Sequence, residues 1–331
     1  MARDTRGRTG GWLLGLGGYA ATIACLVSVN FLLPRLMPGD PIDALAAQSS
    51  STFLYGEESR AALVEYYGLG DPMGEQFIDY LEGLLRGDLG RSIATNTSVS
   101  SEIWRRLPWT LLLIGTSLAV STAVGIVAGV HLGWRRGKAV DRRLLAVLLA
   151  VREIPSFLLG SLLLFLFAVK LRWLPLFGAK TPFLTSASLV ERAIDIGRHL
   201  ILPVSVLSVG LVAGTLLVMR AGMVSELGSD YLLLGRAKGL PERRLKYRYA
   251  GRNALLPVVS LTALQLGFVV TGDVLVERVF AYPGLGSLLF EAIGSRDYPA
   301  LQGGFLVVSV SVVTCNALAD VLSRRLDPRT S

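Results

Sequence analysis

The chain has 331 residues, 52% of them hydrophobic and only 18% charged, with a formal net charge of +8 and a mean hydropathy of +0.53. Soluble domains carry about 25% charged residues, so a soluble enzyme or nucleic-acid-binding domain is a poor fit, and the positive charge is better assigned to basic loops flanking membrane spans. Cys25 and Cys315 sit in separate apolar runs far from any CxxC spacing, and His131 and His199 stand singly, so neither a disulfide framework nor a metal-ligand set is spelled out.

A helix needs about 20 apolar residues to cross a bilayer core, and six segments are long enough. After a basic tail at 1–11, holding Arg3, Arg6 and Arg8, the first span is predicted at 12–33. It reads as uncleaved. Its apolar core is too long for a secretion signal, and the nearest A-x-A-like site, Ala44–Ala46, lies beyond Pro34, Arg35 and Asp40. An extracytoplasmic loop at 34–108 leads to a second span at 109–132, a cytoplasmic loop at 134–143 and a third span at 144–169. Next come an outer loop at 170–199, a fourth span at 200–219, a basic loop at 220–253 and a fifth span at 254–276. An outer segment at 277–304, a sixth span at 305–322 and a tail at 323–331 complete the order.

Charge sets the expected orientation. The connections 134–143 and 220–252, with the two tails, hold 19 of the 33 basic residues. The much longer 34–108 holds 6 basic residues against 11 acids. By the positive-inside tendency both termini are cytoplasmic and the acidic loop is outside. Within that loop "EQFIDYLEGLL" places Phe77, Tyr80, Leu81, Leu84 and Leu85 at helical spacing, with Glu75, Asp79 and Glu82 on other faces. Such a helix covers either its own bundle or a docking partner; the residues leave both open. After the fifth span, Tyr282-Pro283-Gly284 is a turn signal, and Leu285–Ile293, closed by Gly294, is too short to span. It reads as a re-entrant or surface helix, lining an outer gate or simply capping the bundle.

The stretch "RAKGLPERRLKYRYAGRNALLP", 236–257, carries seven basic residues and one acid. Two helical pieces are predicted around it. The first runs from about Asp230, capped by Ser229 or Asp230 itself, and stops at Gly239. The second opens with Pro241 and Glu242, both suited to a helix start, and places Leu245, Tyr249, Arg252 or Asn253, and Leu256 at helical spacing. Gly235 and Gly239, one turn apart, are expected to admit another backbone. A docking element fits this ordered placement better than a purely topogenic loop lying against anionic lipid.

That segment resembles the cytoplasmic EAA loop of ABC-importer permeases, in the form used by the dipeptide/oligopeptide/nickel subfamily. Further matches follow in order: "LMPGDPIDAL", "LLRGDLGRSI", "RLPWTLLL", "IPSFLLG", "VERVFAYPGLGSLLFEAIGSRDYPALQG" and "LDPR". The resemblance spans essentially the whole chain and is nearest the permease subunit with a long outer loop after its first helix. It implies an all-α type I ABC-importer permease fold with six transmembrane helices. It also implies a second homologous permease forming a heterodimer, two cytoplasmic ATPase subunits, and an extracytoplasmic binding protein that delivers solute. ATP and Mg would belong to the ATPases, with no cofactor in this chain, and the contacts would be to protein and membrane lipid rather than nucleic acid. Gly239 matches the EAA glycine and Arg236, Ala237 and Lys238 the turn into it, so the coupling set is Gly235, Arg236, Ala237, Lys238, Gly239, Leu240, Pro241 and Glu242. The sequence departs from the family at Leu233-Leu234-Gly235, where Glu-Ala-Ala is common.

No nucleotide-binding loop is present: "GWRRGKAV" has one residue too few between its glycines, and alanine follows the lysine. No Ser/His/Asp, HExxH or paired-carboxylate pattern suggests catalysis, so a catalytic site is not expected. Arg152 and Glu153 are predicted inside the third span, where a charge costs about 2.5–3.5 kcal/mol at the helix centre and therefore faces protein or water. With Asp273 near the outer end of the fifth span and Glu277 at the interface, they form a candidate translocation path, Asp273 and Glu153 favouring a cationic group on the solute. Structural hydrogen bonding is the competing reading. Tyr282, Pro283, Gly284 and Leu285 are the candidate outer gate. Against an ATP-driven permease stand an ion-coupled secondary carrier, which calls for more intramembrane polar clusters, and a membrane enzyme, which calls for a catalytic constellation. Di- and oligopeptides are the expected solutes, with nickel chelates, glutathione and oligosaccharides as alternatives.

Overall fold

The computed structural model describes residues 6–48, 57–182, 188–267, 269 and 272–326. Arg3 and, within the "LDPR" stretch, Asp327, Pro328 and Arg329 therefore lie outside the described residues. The chain is helical: α1 (Arg6–Arg35), α2 (Pro41–Gln48), α3 (Glu57–Tyr66), α4 (Met73–Arg86), α5 (Val99–Trp134) and α6 (Ala139–Arg152) come first. Then α7 (Ser156–Leu163) passes into a π-helical segment, Leu164–Lys170, and α8 (Leu189–Glu226) follows. A hairpin of α9 (Asp230–Ala237) and α10 (Glu242–Arg244) continues through a second π-helical segment, Leu245–Ala250, into α11 (Gly251–Ala254). The last elements are α12 (Leu256–Gly267), α13 (Val274–Val279), α14 (Leu285–Ser295) and α15 (Tyr298–Leu326).

Among the described residues four helices are long and apolar enough to cross a membrane, within α1, α5, α8 and α15, and α6 with the Ser156–Lys170 stretch makes a fifth candidate bent by 97°. Two predicted spans are thus discontinuous. The third, 144–169, breaks at Ile154-Pro155, because proline lacks the N–H for the helical ladder and pushes its predecessor toward extended backbone. The fifth, 254–276, is helical over the 12 residues of α12 and again over α13. Twelve residues rise about 18 Å, short of a core of about 30 Å. Gly272, at φ +67°, and Asp273, whose Oδ1 accepts from Val276 N at 3.0 Å, start a new helix there.

The chain divides into two compact units. In the first, residues 1–105 with 288–311, the aromatic side of α4 lies on α1. The Phe31 and Phe77 rings meet edge-on at 5.0 Å, and Asn30 Nδ2 donates to Tyr80 Oη at 3.2 Å and to the Gln302 carbonyl at 2.6 Å. The amphipathic helix therefore covers helices of its own chain. Leu85, expected on that face, is 89% exposed: the buried side is centred on Phe77, Tyr80, Leu81 and Leu84. Asp297 pins the loop after α4, accepting from the Ser92 hydroxyl and from Ala94 N.

In the second unit, residues 106–287 with 312–331, α5 and α8 approach closely. Gly125, Gly129 and Gly133 recur every fourth residue and so share one face of α5. A Cβ at Gly129 would stand 2.6 Å from Met219 Cβ, and one at Gly133 2.5 Å from Met223 Cβ. Met219 and Met223 are both fully buried, in a core with Val130, Leu232, Leu245, Ala254 and Val258. α8 opens with a capping box: Ser188 Oγ accepts from Glu191 N while Glu191 Oε2 accepts from Ser188 N at 2.7 Å.

Candidate functional site

The hairpin is built as its sequence requires. Ser229 precedes α9, and the chain reverses at Gly239, whose φ of +71° is disfavoured for any side chain with a Cβ. Gly239 N donates to the Arg236 carbonyl at 2.9 Å and Leu240 N to the Gly235 carbonyl at 3.1 Å, closing the helix end. Pro241 then sets the extended residue before α10. Leu232 and Leu245 are fully buried beneath the turn. Behind it Tyr231 donates to Glu226, and Asn253 Nδ2 donates to Tyr231 Oη at 3.1 Å. Burial, together with the Glu226 carboxylate, holds the Tyr231 phenol above its ordinary pKa, so it remains a donor.

This geometry separates the predicted coupling residues. Gly235 is buried, and a Cβ there would lie 2.6 Å from Leu245 Cδ2. It admits the hairpin's own second helix, not another chain. Leu240 is half-buried, whereas Arg236, Ala237, Lys238, Gly239, Pro241 and Glu242 are exposed around the turn. Leu233 and Leu234, which stand where the family often has polar and small residues, are 68% and 56% exposed. Leu256, placed at helical spacing with the buried Leu245, is 66% exposed, because the π-helical segment shifts the register of the residues after it.

A cavity of about 590 Å³ lies elsewhere in the same unit. Its walls are largely apolar, including Leu118, Leu159 and Val206, and its polar lining is Ser117, Arg152, Glu153, Ser156, Gln265 and Asp273. Arg152 ends α6 and Glu153 follows it at the elbow, both exposed. They are thus not embedded in a continuous helix, as the sequence suggested, but displayed by the break. Asp273 Oδ2 accepts from Ser156 Oγ at 3.4 Å, linking the start of α7 to the start of α13. The Gln265 Oε1 is buried with no partner among the described residues. One guanidinium and two carboxylates therefore share one hollow, an arrangement suited to a solute carrying both charges.

Glu277 is not part of that cavity. It is fully buried. Its Oε1 accepts from Thr110 Oγ1 at 3.0 Å and its Oε2 from Ser287 N at 2.8 Å, while Thr110 Oγ1 accepts from Leu285 N at 2.8 Å. Gly284 and Gly286 leave the carboxyl its room: a Cβ at Gly284 would overlap it, and one at Gly286 would come within 2.9 Å. Tyr282 and Leu285 are buried in the same knot and Pro283 half-buried. The four predicted gate residues thus pack around the Glu277 carboxyl.

The sequence reading missed one further pair. Asp141 is 1% exposed and takes both Nε and Nη2 of Arg220 at 2.8 Å, plus Gly137 N at 3.1 Å. It ties the start of α6 to α8 just ahead of the hairpin. The two lie 79 positions apart, and nothing local signals the pairing. The Gly125/Gly129/Gly133 repeat and the Ser188-x-x-Glu191 box, by contrast, were readable.

Residues 121–331 match the family described as "Binding-protein-dependent transport system inner membrane component". The chain is similar to the di/tripeptide transport system permease protein DppB of Pseudomonas aeruginosa, 34% identical over 327 residues, covering 95% of this chain and 96% of that protein. It is similar to the dipeptide transport system permease protein DppB of Escherichia coli at 33% over 330 residues, 95% and 96% covered. It is also similar to the glutathione transport system permease protein GsiC of Escherichia coli, 34% over 315 residues, 94% and 95% covered.

Proposed function

The chain belongs to the inner-membrane components of binding-protein-dependent transport systems, and from that membership we propose that it forms half of the path by which di- or oligopeptides enter the cell. A permease subunit of this kind is a multi-pass inner-membrane protein. In our reading both termini and the hairpin face the cytoplasm, in keeping with the basic residues concentrated there. Separate ATPase subunits grip the exposed turn around Gly239, an extracytoplasmic protein delivers the peptide, and a second, homologous permease completes the passage. ATP hydrolysis then takes place on the ATPases, and this chain carries no catalytic step.

The observation that carries the solute class is the cavity at the elbow. A peptide in its usual ionic form presents an ammonium, a carboxylate and amide donors. Glu153 and Asp273 suit the first, Arg152 the second, and the hydroxyls of Ser117 and Ser156 the third. The apolar walls tolerate varied side chains. The names of the relatives support the same class, glutathione being itself a small peptide.

The test is uptake of a labelled dipeptide by cells relying on this permease, with glutathione and a nickel chelate as competing solutes. Dipeptide uptake is expected to fall with Arg152→Gln and with Asp273→Asn while the complex still assembles. Uptake of the nickel chelate alone, or unchanged peptide uptake in both variants, overturns the reading.

A further inference from the structure

The second half of the hairpin carries more charge than the turn at Gly239 uses. Arg243, Arg244, Tyr247 and Arg248, with Pro241, line an open hollow of about 550 Å³. The three arginines are exposed, and among the described residues none is held by a carboxylate. Glu242, the sole acid between 236 and 257, lies 3.5 Å from Arg236 Nε instead. Tyr247 is steadied from two sides. Its Oη is 3.1 Å from His131 Nε2 on α5, and Lys246 Nζ stands 4.9 Å from its ring centroid.

Beyond the hollow along the chain, α12 exposes apolar side chains: Leu256 and Val259, at i and i+3 of that helix, are 66% and 44% exposed. A cationic hollow followed by an apolar stripe is the complement of an amphiphile with an anionic head. Free phosphate would use the arginines and ignore the stripe. So would carboxylates of a docking protein at the hairpin.

We propose that this hollow binds the phosphate head of an anionic phospholipid, with an acyl chain running over Leu256 and Val259. The site rests on the reading above in one respect, that the hairpin lies at the membrane surface and α12 enters the bilayer. The lipid then anchors the root of the hairpin, leaving the Gly239 turn free to be gripped.

The experiment is native mass spectrometry of the full chain, purified in mild detergent and offered equal dioleoyl phosphatidylglycerol and dioleoyl phosphatidylcholine. The native chain is expected to retain phosphatidylglycerol preferentially. Each arginine near a membrane surface contributes about fivefold, so R243Q/R244Q/R248Q loses about a hundredfold of that preference. Because three neutralisations risk misfolding, R243Q and R248Q are also read singly, each expected to lose about fivefold. Leu256→Ser weakens retention of both lipids and keeps the preference. Undiminished preference in the arginine variants, or displacement of phosphatidylglycerol by equimolar inorganic phosphate, overturns the proposal. So does intact lipid preference accompanied by loss of co-purifying ATPase, which assigns the arginines to a protein contact. The readout involves no peptide, so failure of the peptide reading and failure of the lipid site are separately visible.

Discussion

Replacing Gly284 with alanine adds one methyl group closer to a neighbour than at any other described glycine. The backbone there does not require glycine, since Gly284 is not at positive φ, so the cost is steric. The new Cβ would overlap the Glu277 carboxyl, and that group must move. It is fully buried and accepts from Thr110 Oγ1 at 3.0 Å and Ser287 N at 2.8 Å. Displacing it strands two buried donors at about 1–3 kcal/mol each, a loss of about 2–6 kcal/mol. Glu277→Ala strands the same donors and is expected to cost a similar amount. In the double variant the alanine methyl enters the space that the carboxyl vacated, so G284A adds less than about 1 kcal/mol and the pair couples by about 1 kcal/mol or more. The assay is thermal stability of the detergent-purified chain, followed as monodisperse protein surviving heating. At roughly 2–4 °C per kcal/mol for a folding unit of about 200 residues, a single variant should lose several degrees and the double little more. Strictly additive losses, or wild-type stability in G284A, would refute the assignment of Gly284 as the room for Glu277.

Three other outcomes follow from the same packing. Gly129→Val drives a branched side chain into Met219 and is expected to cost about 1–3 kcal/mol or to abolish folded protein, read by the same heating assay. Asp141→Asn removes one partner of a buried ion pair and is expected to cost about 3–5 kcal/mol, whereas Asp141→Leu with Arg220→Met recovers much of it; equal losses in both would argue against the pairing. Gly239→Ala meets no neighbour within 4 Å but must hold φ +71°, so it should cost only about 1 kcal/mol of stability. Gly235→Ala collides with Leu245 and should cost more. Co-purification of ATPase subunits then separates the two glycines: the proposal expects Gly239→Ala to weaken capture at near-normal stability.

Much of this protein was legible in one dimension. Long apolar runs identify membrane helices because a bilayer imposes a minimum length. Gly239 announces the turn because few residues tolerate φ +71°, Pro241 because its ring presets the residue before the next helix, and the ordered motifs identify the family. Arg152 and Glu153 were read inside a continuous span, yet they stand at an elbow. Pro155 was the local signal of a break, but its angle of 97° and the cavity beside it came from the packing.

What the tertiary structure decided was which polar groups meet. Gly235 looked like a surface for another chain, yet Leu245 of the same hairpin already occupies it. Glu277 and the turn after it suggested a path and a gate, yet Thr110 and Ser287, 167 positions before and 10 after, close over the carboxyl. Asp141 and Arg220 gave no sign of each other. The physical reason is common to all three: solvation and periodicity act on each residue where it stands, whereas the partner of a buried polar group is chosen by how separate helices pack.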